Sequence, residues 1–339
     1  MISSRWTAAA LIVAVVGGTA LLIAATGHDV GRASAALFSG SVGSWYAFGS
    51  GTLIRATPLI LTGLAVAIAF RAGVFNIGAE GQFIVGAAAA AAAALVFPDV
   101  PRFLALPLVM LAGALAGAAW AMIAGVLRVR FHVLEVISTI MLNFVAVHLV
   151  SFLVRGPLQE PTRVFPQTPS LPVVARLPRL GTVTRLHAGF IIALVACIVV
   201  WWIMRNTAAG FRLRAVGANP NAARSAGLID VKRVTMRAFL VSGAFAGVAG
   251  AIEVSGVTYA LYENISPGYG YTAIAVALLA ALDPAAVIFT GTLFGMLEAG
   301  AAAMQRDAGV PSVVVSVAEA AIILTLIAFS RVRHARGSR

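Results

Sequence analysis

The stretch "LALPLVMLAGALAGAAWAMIAGVL", residues 104–127, contains no charged residue and is long enough to cross a lipid bilayer as a helix. A bilayer core takes about 20 apolar residues in helical form, because each unpaired backbone polar group in lipid costs several kcal/mol. Glycine and alanine recur within residues 111–125, and such small residues let neighbouring helices approach closely. The stretch therefore predicts one member of a packed transmembrane bundle.

The composition of the whole chain is that of a membrane protein with many spans. Of the 339 residues, 60% are hydrophobic and 11% are charged, and the mean hydropathy is +0.97. Soluble globular domains carry about 25% charged residues, so that class is excluded. We predict an all-α polytopic transmembrane helix bundle of about 10 spans, within a range of about 8 to 10, in a single domain over residues 1–339. The predicted spans lie near residues 7–26, 52–70, 82–97, 104–127, 133–154, 188–204, 237–255, 271–282, 285–303 and 312–330.

The distribution of arginine predicts the orientation of the chain. The loop at 205–236 and the C-terminal tail are rich in arginine, and arginine-rich loops stay on the cytoplasmic side of a membrane. With ten spans, and with the first one kept as an uncleaved anchor, both termini are then cytoplasmic. The net charge of +12 is explained by this topology, without nucleic acid as a partner.

The loop at 155–187 is expected on the extracytoplasmic side. It is rich in proline, which disfavours a helix or a central strand. It also contains Arg163, Arg176, Arg179 and Arg185, which weaken the charge asymmetry. Two interpretations remain open: an extended segment folded over the bundle, or a disordered spacer.

Two polar stretches that contain glycine interrupt the apolar pattern. In "FNIGAEGQF", residues 75–83, Gly78 and Gly81 fall between two predicted spans, and Gly268 and Gly270 precede a predicted span of only about 12 residues. A span of this length cannot cross a bilayer alone, which predicts a broken or re-entrant helix. In several transporter folds, helices broken at corresponding positions of an internal repeat line the substrate route. We therefore predict a substrate pathway at these two breaks.

Polar and aromatic side chains near the breaks are the candidate pathway residues. Amides and carboxylates can hydrogen-bond the hydroxyl and amide groups of a polar solute, and aromatic rings can stack on a planar one. Glu135 and Asn143 share one helix face with Ser138 and Thr139, and so are expected to point into the bundle together. The candidates are Phe75, Asn76, Glu80, Gln82, Glu135, Asn143, Tyr269 and Tyr271.

A structural alternative exists for most of these candidates. Glu80 is equally suited to an ion pair with Arg71 or Arg55 that fastens two helices together. Aromatic residues near a membrane interface usually act as anchors.

The loop at 205–236 contains the signals of a short helix. Asn219 is suited to an N-cap, Pro220 to the first helical position, and Gly227 to the end of the helix. A helix over residues 220–226 has about two turns, too few to be stable alone in water, so it must dock on something. Surrounding arginines would suit an acidic groove on a partner. The alternative is an ordinary connector whose arginines only enforce topology.

Several function classes lack their motifs in this chain. A P-loop places lysine directly after glycine, whereas Lys232, the only lysine, follows Val231. The five histidines are scattered, without zinc-binding spacing, and no GxSxG nucleophile motif occurs. We therefore expect no ATPase site, no catalytic residues, no metal and no cofactor bound by this chain.

Five stretches together resemble the permease family of bacterial ABC importers for nucleosides and simple sugars. The two most informative are "GVFNIGAEGQFIVGA" and "GFRLRAVGANPNAARSAGLI". Each stretch is weakly specific alone, but their shared order along most of the chain is specific. The stretches cover residues 73–87, 132–146, 166–172, 210–229 and 268–284.

The resemblance implies a transport subunit in a larger assembly. Its expected partners are an ATPase subunit that binds ATP and magnesium and has tandem domains, a second related permease, an extracytoplasmic binding lipoprotein and membrane lipid. The expected location is the bacterial cytoplasmic membrane. The loop at 205–236 would carry the coupling helix that contacts the ATPase, with the coupling residues Arg212, Arg214, Gly217, Asn219, Pro220, Ala222, Ala223, Arg224 and Gly227. The rival hypothesis is an ion-coupled secondary transporter of small polar solutes, in which Glu80 or Glu135 takes up protons.

Overall fold

The structure is a computed structural model that describes residues 17–225, 227, 229–311, 313, 314, 316, 317, 320 and 321. Apart from two isolated β-bridges, these residues form helices and the segments that connect them. Residues 17–25 are helical. The helices that follow are α1 (Val30–Ser41), α2 (Ala47–Arg71), α3 (Ala79–Val96), α4 (Arg102–Phe131), α5 (Glu135–Arg155), α6 (Gly189–Asn206), α7 (Ala208–Ala218), α8 (Pro220–Ser225), α9 (Val231–Thr258), α10 (Tyr269–Leu279) and α11 (Pro284–Ala308).

Seven helices in the described part of the chain are long and apolar enough to cross a membrane: α2, α3, α4, α5, α6, α9 and α11. They coincide with seven of the predicted spans. The predicted short span near residues 271–282 is α10, an apolar helix of 11 residues. The spans predicted near residues 7–26 and 312–330 lie partly outside the described residues, so the total of about ten stays a prediction.

Helices α3, α4 and α9 pack through glycine with their backbones in contact. A Cβ atom added to Gly247 of α9 would lie 2.1 Å from the carbonyl oxygen of Gly113 in α4. The same atom added to Gly117 would lie 2.3 Å from the carbonyl oxygen of Gly243, and one added to Gly86 of α3 would lie 2.4 Å from the Cα of Gly247. Any larger residue would separate these helices, as the small-residue pattern of the sequence predicts.

The chain divides into two compact units, one of which is Ala56–Thr292. This unit contains all the candidate site residues and most of the helices. The other unit consists of the described residues before and after it. Within that other unit, α1 packs closely on the second half of α11, because a Cβ atom at Gly40 would lie 2.1 Å from the Cβ of Ala303.

The proline-rich loop at 155–187 is folded rather than a spacer. Its backbone pairs with the segment that follows α9: the Thr168 N–H donates to the Leu261 carbonyl at 2.8 Å, and the Leu171 N–H donates to the Tyr259 carbonyl at 2.8 Å. Leu171 is fully buried. The loop therefore satisfies its backbone by hydrogen bonding to the protein, which a disordered spacer would not do.

Candidate functional site

The first predicted break is the segment 72–78 between α2 and α3. Its turn residue is Gly73, with φ at +71°. Gly78, which we predicted to break the chain, has an ordinary φ of −86° and only precedes the helix. Gly81, the other predicted break residue, lies in the first turn of α3, where a Cβ atom would meet the Asn143 side-chain oxygen at 2.9 Å. The prediction of a break is confirmed, but Gly81 provides close packing instead of a turn.

Asn76 lies at the centre of the break and is fully buried. Its Oδ1 accepts hydrogen bonds from the Gly78 N–H at 2.9 Å and from Gln82 Nε2 at 3.0 Å. Its Nδ2 lies 3.0 Å from the hydroxyl oxygen of Ser242 in α9 and 3.1 Å from Gln82 Oε1. Asn76 thus joins the break to the start of α3 and to α9, and its polar atoms are all used within the protein.

Side chains of α5 satisfy further backbone groups in the break and at the start of α3. Asn143 accepts from the Gly81 N–H at 2.8 Å and donates to the Ile77 carbonyl at 3.0 Å. The Thr139 hydroxyl oxygen accepts from the Ile77 N–H at 3.3 Å. Asn143 and Thr139 are both 1% exposed. Unpaired backbone groups at membrane depth are costly, so these side chains make the interruption of the helix tolerable.

Glu135, the first residue of α5, bonds to the break and to α4. Its carboxylate forms an ion pair with Arg128, from the last turn of α4. The same carboxylate accepts from the Phe75 N–H at 3.4 Å. Glu135 therefore fastens α4, α5 and the break together.

The second predicted break precedes α10, where Gly268 forms the N-cap with φ at +103°. The first turn of α10 packs directly on the first turn of α3, because a Cβ atom at Gly270 would lie 2.1 Å from the backbone nitrogen of Glu80. The Glu80 carboxylate, 5% exposed, accepts from the Gly270 N–H at 2.7 Å. Ser266, in the second break, is a further hydrogen-bond partner of this carboxylate. The two breaks therefore meet, and an acidic side chain lies between two helix N-termini, where negative charge is stabilised.

The ion pair between Glu80 and Arg71 or Arg55 that the sequence allowed is not formed. Arg71 donates instead to the Ala281 carbonyl at 3.4 Å, and Arg55 to the Gly51 carbonyl at 3.2 Å. The carboxylate lies inside the protein at the first turn of α10, where the Gly270 N–H has no partner within its own helix and bonds to the carboxylate without a second buried charge. Glu80 therefore links the first turns of α3 and α10 by a hydrogen bond to backbone, not by an ion pair with arginine.

The three aromatic candidates have different environments. Tyr269 is buried and packs edge-on against Phe83, with ring centroids 5.7 Å apart. Tyr271 is 45% exposed, and its hydroxyl oxygen accepts from the Asn143 amide at 3.3 Å. Phe75 is 54% exposed and packs edge-on against Phe70. Tyr271 and Phe75 therefore present ring surface outside the packed interior, whereas Tyr269 does not.

The structure thus brings all eight candidate pathway residues to the two breaks and to the face of α5 beside them. It also adds residues that the sequence did not single out, chiefly Ser242, Ser266 and Arg128. Ser242 lies in a run of small residues, a pattern that indicates only close helix packing. Its partner Asn76 is 166 positions away, so no local signal points to the hydrogen bond. Among the described residues, no group of three or more His, Cys, Asp or Glu side chains is arranged to hold a metal ion. Passage of substrate along these residues stays a prediction.

The short helix in the loop at 205–236 forms as α8. The Asn219 side-chain oxygen accepts from the N–H groups of Asn221 and Ala222, both at 3.0 Å, which is an N-cap. Gly227 follows with φ at +71°, and the residue predicted as the last of the helix, Ala226, lies outside the described residues. Of the two alanines described in α8, Ala223 is buried and Ala222 is exposed.

Helix α7, which leads into α8, packs against the end of α2. A Cβ atom at Gly217 would lie 2.0 Å from the Arg71 carbonyl oxygen, so this glycine allows α7 to touch the α2 backbone. Arg212, Pro220 and Arg224 are exposed. Of the predicted coupling residues, Gly217 and Ala223 therefore pack inside this chain, and the others that are described lie at or near its surface.

The chain matches the family model described as the permease component of branched-chain amino acid transport systems over residues 48–329. It is 41% identical to the guanosine ABC transporter permease protein NupP of Bacillus subtilis, across 97% of this chain and 94% of that protein. It is 40% identical to the glucose ABC transporter permease protein TsgB13 of Haloferax volcanii, across 81% of this chain and 74% of that protein. Identity to the nucleoside ABC transporter permease protein NupB of Lactococcus lactis is 36%, across 85% of this chain and 80% of that protein.

Proposed function

Because this chain belongs to the family of permease components of branched-chain amino acid transport systems, we propose that it is the membrane-spanning subunit of an ABC importer for nucleosides. A simple sugar is the second substrate class. The observation that carries the proposal is the similarity to a guanosine permease over nearly the whole of both chains. Similarity to a glucose permease covers less of each chain, and we therefore rank sugars second.

The two meeting breaks suggest how substrate would pass. In the described conformation, Asn76, Glu80 and Asn143 are buried and bonded to backbone groups. Separation of α10 from α3 would release the Glu80 carboxylate, and separation of Tyr271 from Asn143 would release an amide. A nucleoside could then take these hydrogen bonds through its ribose hydroxyls or base edge, with Tyr271 or Phe75 against the base. Transporters that bind at broken helices use freed backbone groups in the same way.

Coupling to ATP hydrolysis is assigned to α8. Its exposed residues Pro220, Ala222 and Arg224 would enter a groove on a separate ATPase subunit, which would bind ATP and magnesium. A second related permease and an extracytoplasmic binding lipoprotein would complete the assembly in the bacterial cytoplasmic membrane. Both termini and α8 would face the cytoplasm, as arginine-rich segments do.

Reconstitution in proteoliposomes tests the function. With the ATPase and the other subunits present, we expect ATP-dependent uptake of guanosine or adenosine, and weaker uptake of glucose. This chain alone, with an imposed proton gradient and no ATP, should accumulate none of them. Uptake driven by the gradient alone would contradict the proposal and support the ion-coupled transporter. ATP-driven uptake of glucose without nucleoside uptake would reverse the order of the two substrate classes.

The coupling role of α8 is tested by the double variant Pro220→Asp and Arg224→Glu. We expect the protein to insert and assemble but to show uptake reduced to about a tenth or less, while ATP hydrolysis continues. The reason is that both changes place negative charge on a surface meant for an acidic groove. Asn206→Asp, at an exposed position at the end of α6, is the control for negative charge added outside α8. Normal uptake in the double variant would remove α8 from the coupling mechanism.

A further inference from the structure

A cavity of about 240 Å³ lies where α2 and α6 end, beside α7 and the turn between α10 and α11. We call it the arginine pocket. Three arginines from three helices line it: Arg71 of α2, Arg205 of α6 and Arg214 of α7. Asp283 is the acidic residue among the lining side chains, so the guanidinium groups exceed the carboxylates three to one. The pocket therefore has a surplus of positive charge that suits an anion.

The internal bonds of the pocket leave much of this charge available. Asp283 Oδ2 lies 3.4 Å from Arg205, while its Oδ1 accepts from the N–H of Ala285 and caps α11. Arg205 also lies over the ring of Trp201, 4.7 Å from its centroid. The guanidinium plane is therefore fixed by a ring on one side. A planar, held guanidinium is the group that best binds two phosphate oxygens at once.

The arginine pocket is part of the folded structure, because its walls are fixed by contacts with backbone atoms. Gly217 of α7 touches the end of α2, and Arg214 lies one helical turn before this contact. The Arg71 side chain in turn donates to the Ala281 carbonyl. Ala281 and Leu282 both have positive φ, at +50° and +59°. Residues with a side chain adopt this conformation rarely, so a strained turn is held in place at the rim.

An apolar stripe on α6 runs directly to the pocket. Val195, Ile198 and Trp202 are 53%, 56% and 55% exposed, and their spacing places them on one helix face with Arg205. Arg205 is thus both the end of the stripe and a wall of the pocket. An acyl chain lying along the stripe would bring its headgroup to the arginines, at the level where a transmembrane helix ends.

We propose that the arginine pocket binds a phosphate group, and that this phosphate belongs to an anionic phospholipid whose acyl chain lies along the α6 stripe. Basic pockets between transmembrane helices are known to recognise anionic headgroups. A zwitterionic headgroup brings its own positive charge to the three arginines and binds less well. The site is independent of the substrate that this chain transports.

Native mass spectrometry of the full chain in neutral detergent tests the proposal. The probes are phosphatidylglycerol, phosphatidylcholine and inorganic phosphate. We expect phosphatidylglycerol to be retained about tenfold more tightly than phosphatidylcholine. The triple variant Arg71→Gln, Arg205→Gln and Arg214→Gln should lose this preference. The triple control Arg130→Gln, Arg212→Gln and Arg224→Gln removes the same charge from exposed positions outside the pocket and should keep it.

A single variant separates loss of lipid binding from loss of folding in the triple variant. Arg214→Gln leaves the Arg205–Asp283 pair and the Arg71–Ala281 bond in place, and we expect it to weaken phosphatidylglycerol binding by several-fold with an unchanged unfolding temperature. Equal binding by the pocket and control triples would overturn the proposal. Displacement of the lipid by millimolar inorganic phosphate would assign the pocket to free phosphate and overturn the lipid assignment. Loss of the lipid when the ATPase subunit is added would show that a protein carboxylate fills the pocket, and would also overturn it.

Discussion

At the scale of single residues, the polar side chains near the breaks act first on the protein itself. Asn76, Gln82 and Asn143 bind backbone groups or one another in a fully buried cluster. A buried polar group that loses its partner costs about 1–3 kcal/mol, more than the hydrogen bond contributes net. Stability therefore depends on these few amides, which are also proposed pathway residues.

We expect Asn76→Ala to lower the free energy of unfolding by about 1–3 kcal/mol, because the Gly78 N–H, the Gln82 amide and the Ser242 hydroxyl lose their partner together. The measurement is denaturant unfolding of the protein in detergent. Asn206→Ala is the control, since this exposed amide bonds only to a carbonyl of its own helix in the described structure. An equal effect of the two changes would refute the central role of Asn76.

A second residue-scale prediction concerns Glu263, in the segment between α9 and α10. Hydrogen bonds from Arg155 and Ser151 lower the pKa of Glu263 from 4.5 to about 2. Because the pKa in the folded protein lies below that of the unfolded chain, the carboxylate stabilises the fold fully above pH 4.5. This contribution is lost as the pH falls from 4.5 towards 2.

We therefore expect Glu263→Gln to lower the unfolding temperature at pH 7, and the difference from the wild type to shrink steadily below pH 4.5. Thermal unfolding measured between pH 7 and pH 3 checks this. Arg155→Gln should give the same pH profile, and the double variant should be little worse than either single one. A difference that stays constant down to pH 3 would rule out the pair as its source.

At the scale of elements, the main feature is the meeting of α3 and α10 at their N-termini. Two helix N-termini close together carry partial positive charge of the same sign, which repels. The Glu80 carboxylate lies between them and accepts from the Gly270 N–H. This contact ties α10, an 11-residue helix too short to span a bilayer, to the start of α3.

We expect Gly270→Ala to lower the free energy of unfolding by about 1–3 kcal/mol, because its methyl group would lie 2.1 Å from the Glu80 nitrogen and force α10 away from α3. Unfolding and reconstituted uptake are both measured. The matched control is Gly181→Ala, in the outer loop, where a methyl group meets no atom within 4 Å. If Gly270→Ala were as stable and active as the control, the close contact would have no role.

The sequence predicts the positions of helix caps and breaks well, but it predicts poorly which distant residues bond to them. Caps and breaks depend on local chemistry, so Asn219, Gly227 and the two interruptions could be located from a few neighbouring residues. The partner of Glu80 could not, because Gly270 is 190 positions away and an arginine close in sequence offers a simpler pair. The position of Gly73 as the turn was missed because Gly78 and Gly81 lie in the more polar stretch.

At the scale of the whole molecule, the predicted orientation rests on the distribution of arginine and is open to direct test. The loop at 155–187 is expected outside and α8 inside, on opposite sides of the membrane. The single native cysteine, Cys197, is fully buried, so it gives little background in a labelling experiment.

We expect Asn221→Cys, in α8, to react with a membrane-impermeant maleimide only after cells are broken, and Val183→Cys, in the outer loop, to react in intact cells. Both positions are exposed, which makes the comparison one of sidedness. The wild type is the control for Cys197. Labelling of Asn221→Cys in intact cells would reverse the predicted orientation of the chain.

The first break also affects the order in which contacts form while the protein is being synthesised. Asn76 leaves the ribosome well before its partner Ser242, which follows 166 residues later. At about 5–20 residues per second, this delay is on the order of 10–30 seconds. Throughout that time the segment 72–78 must wait near water or beside the insertion machinery, because lipid offers no substitute for the missing hydroxyl. The break is therefore among the last parts of the bundle to be completed, although it is encoded near its beginning.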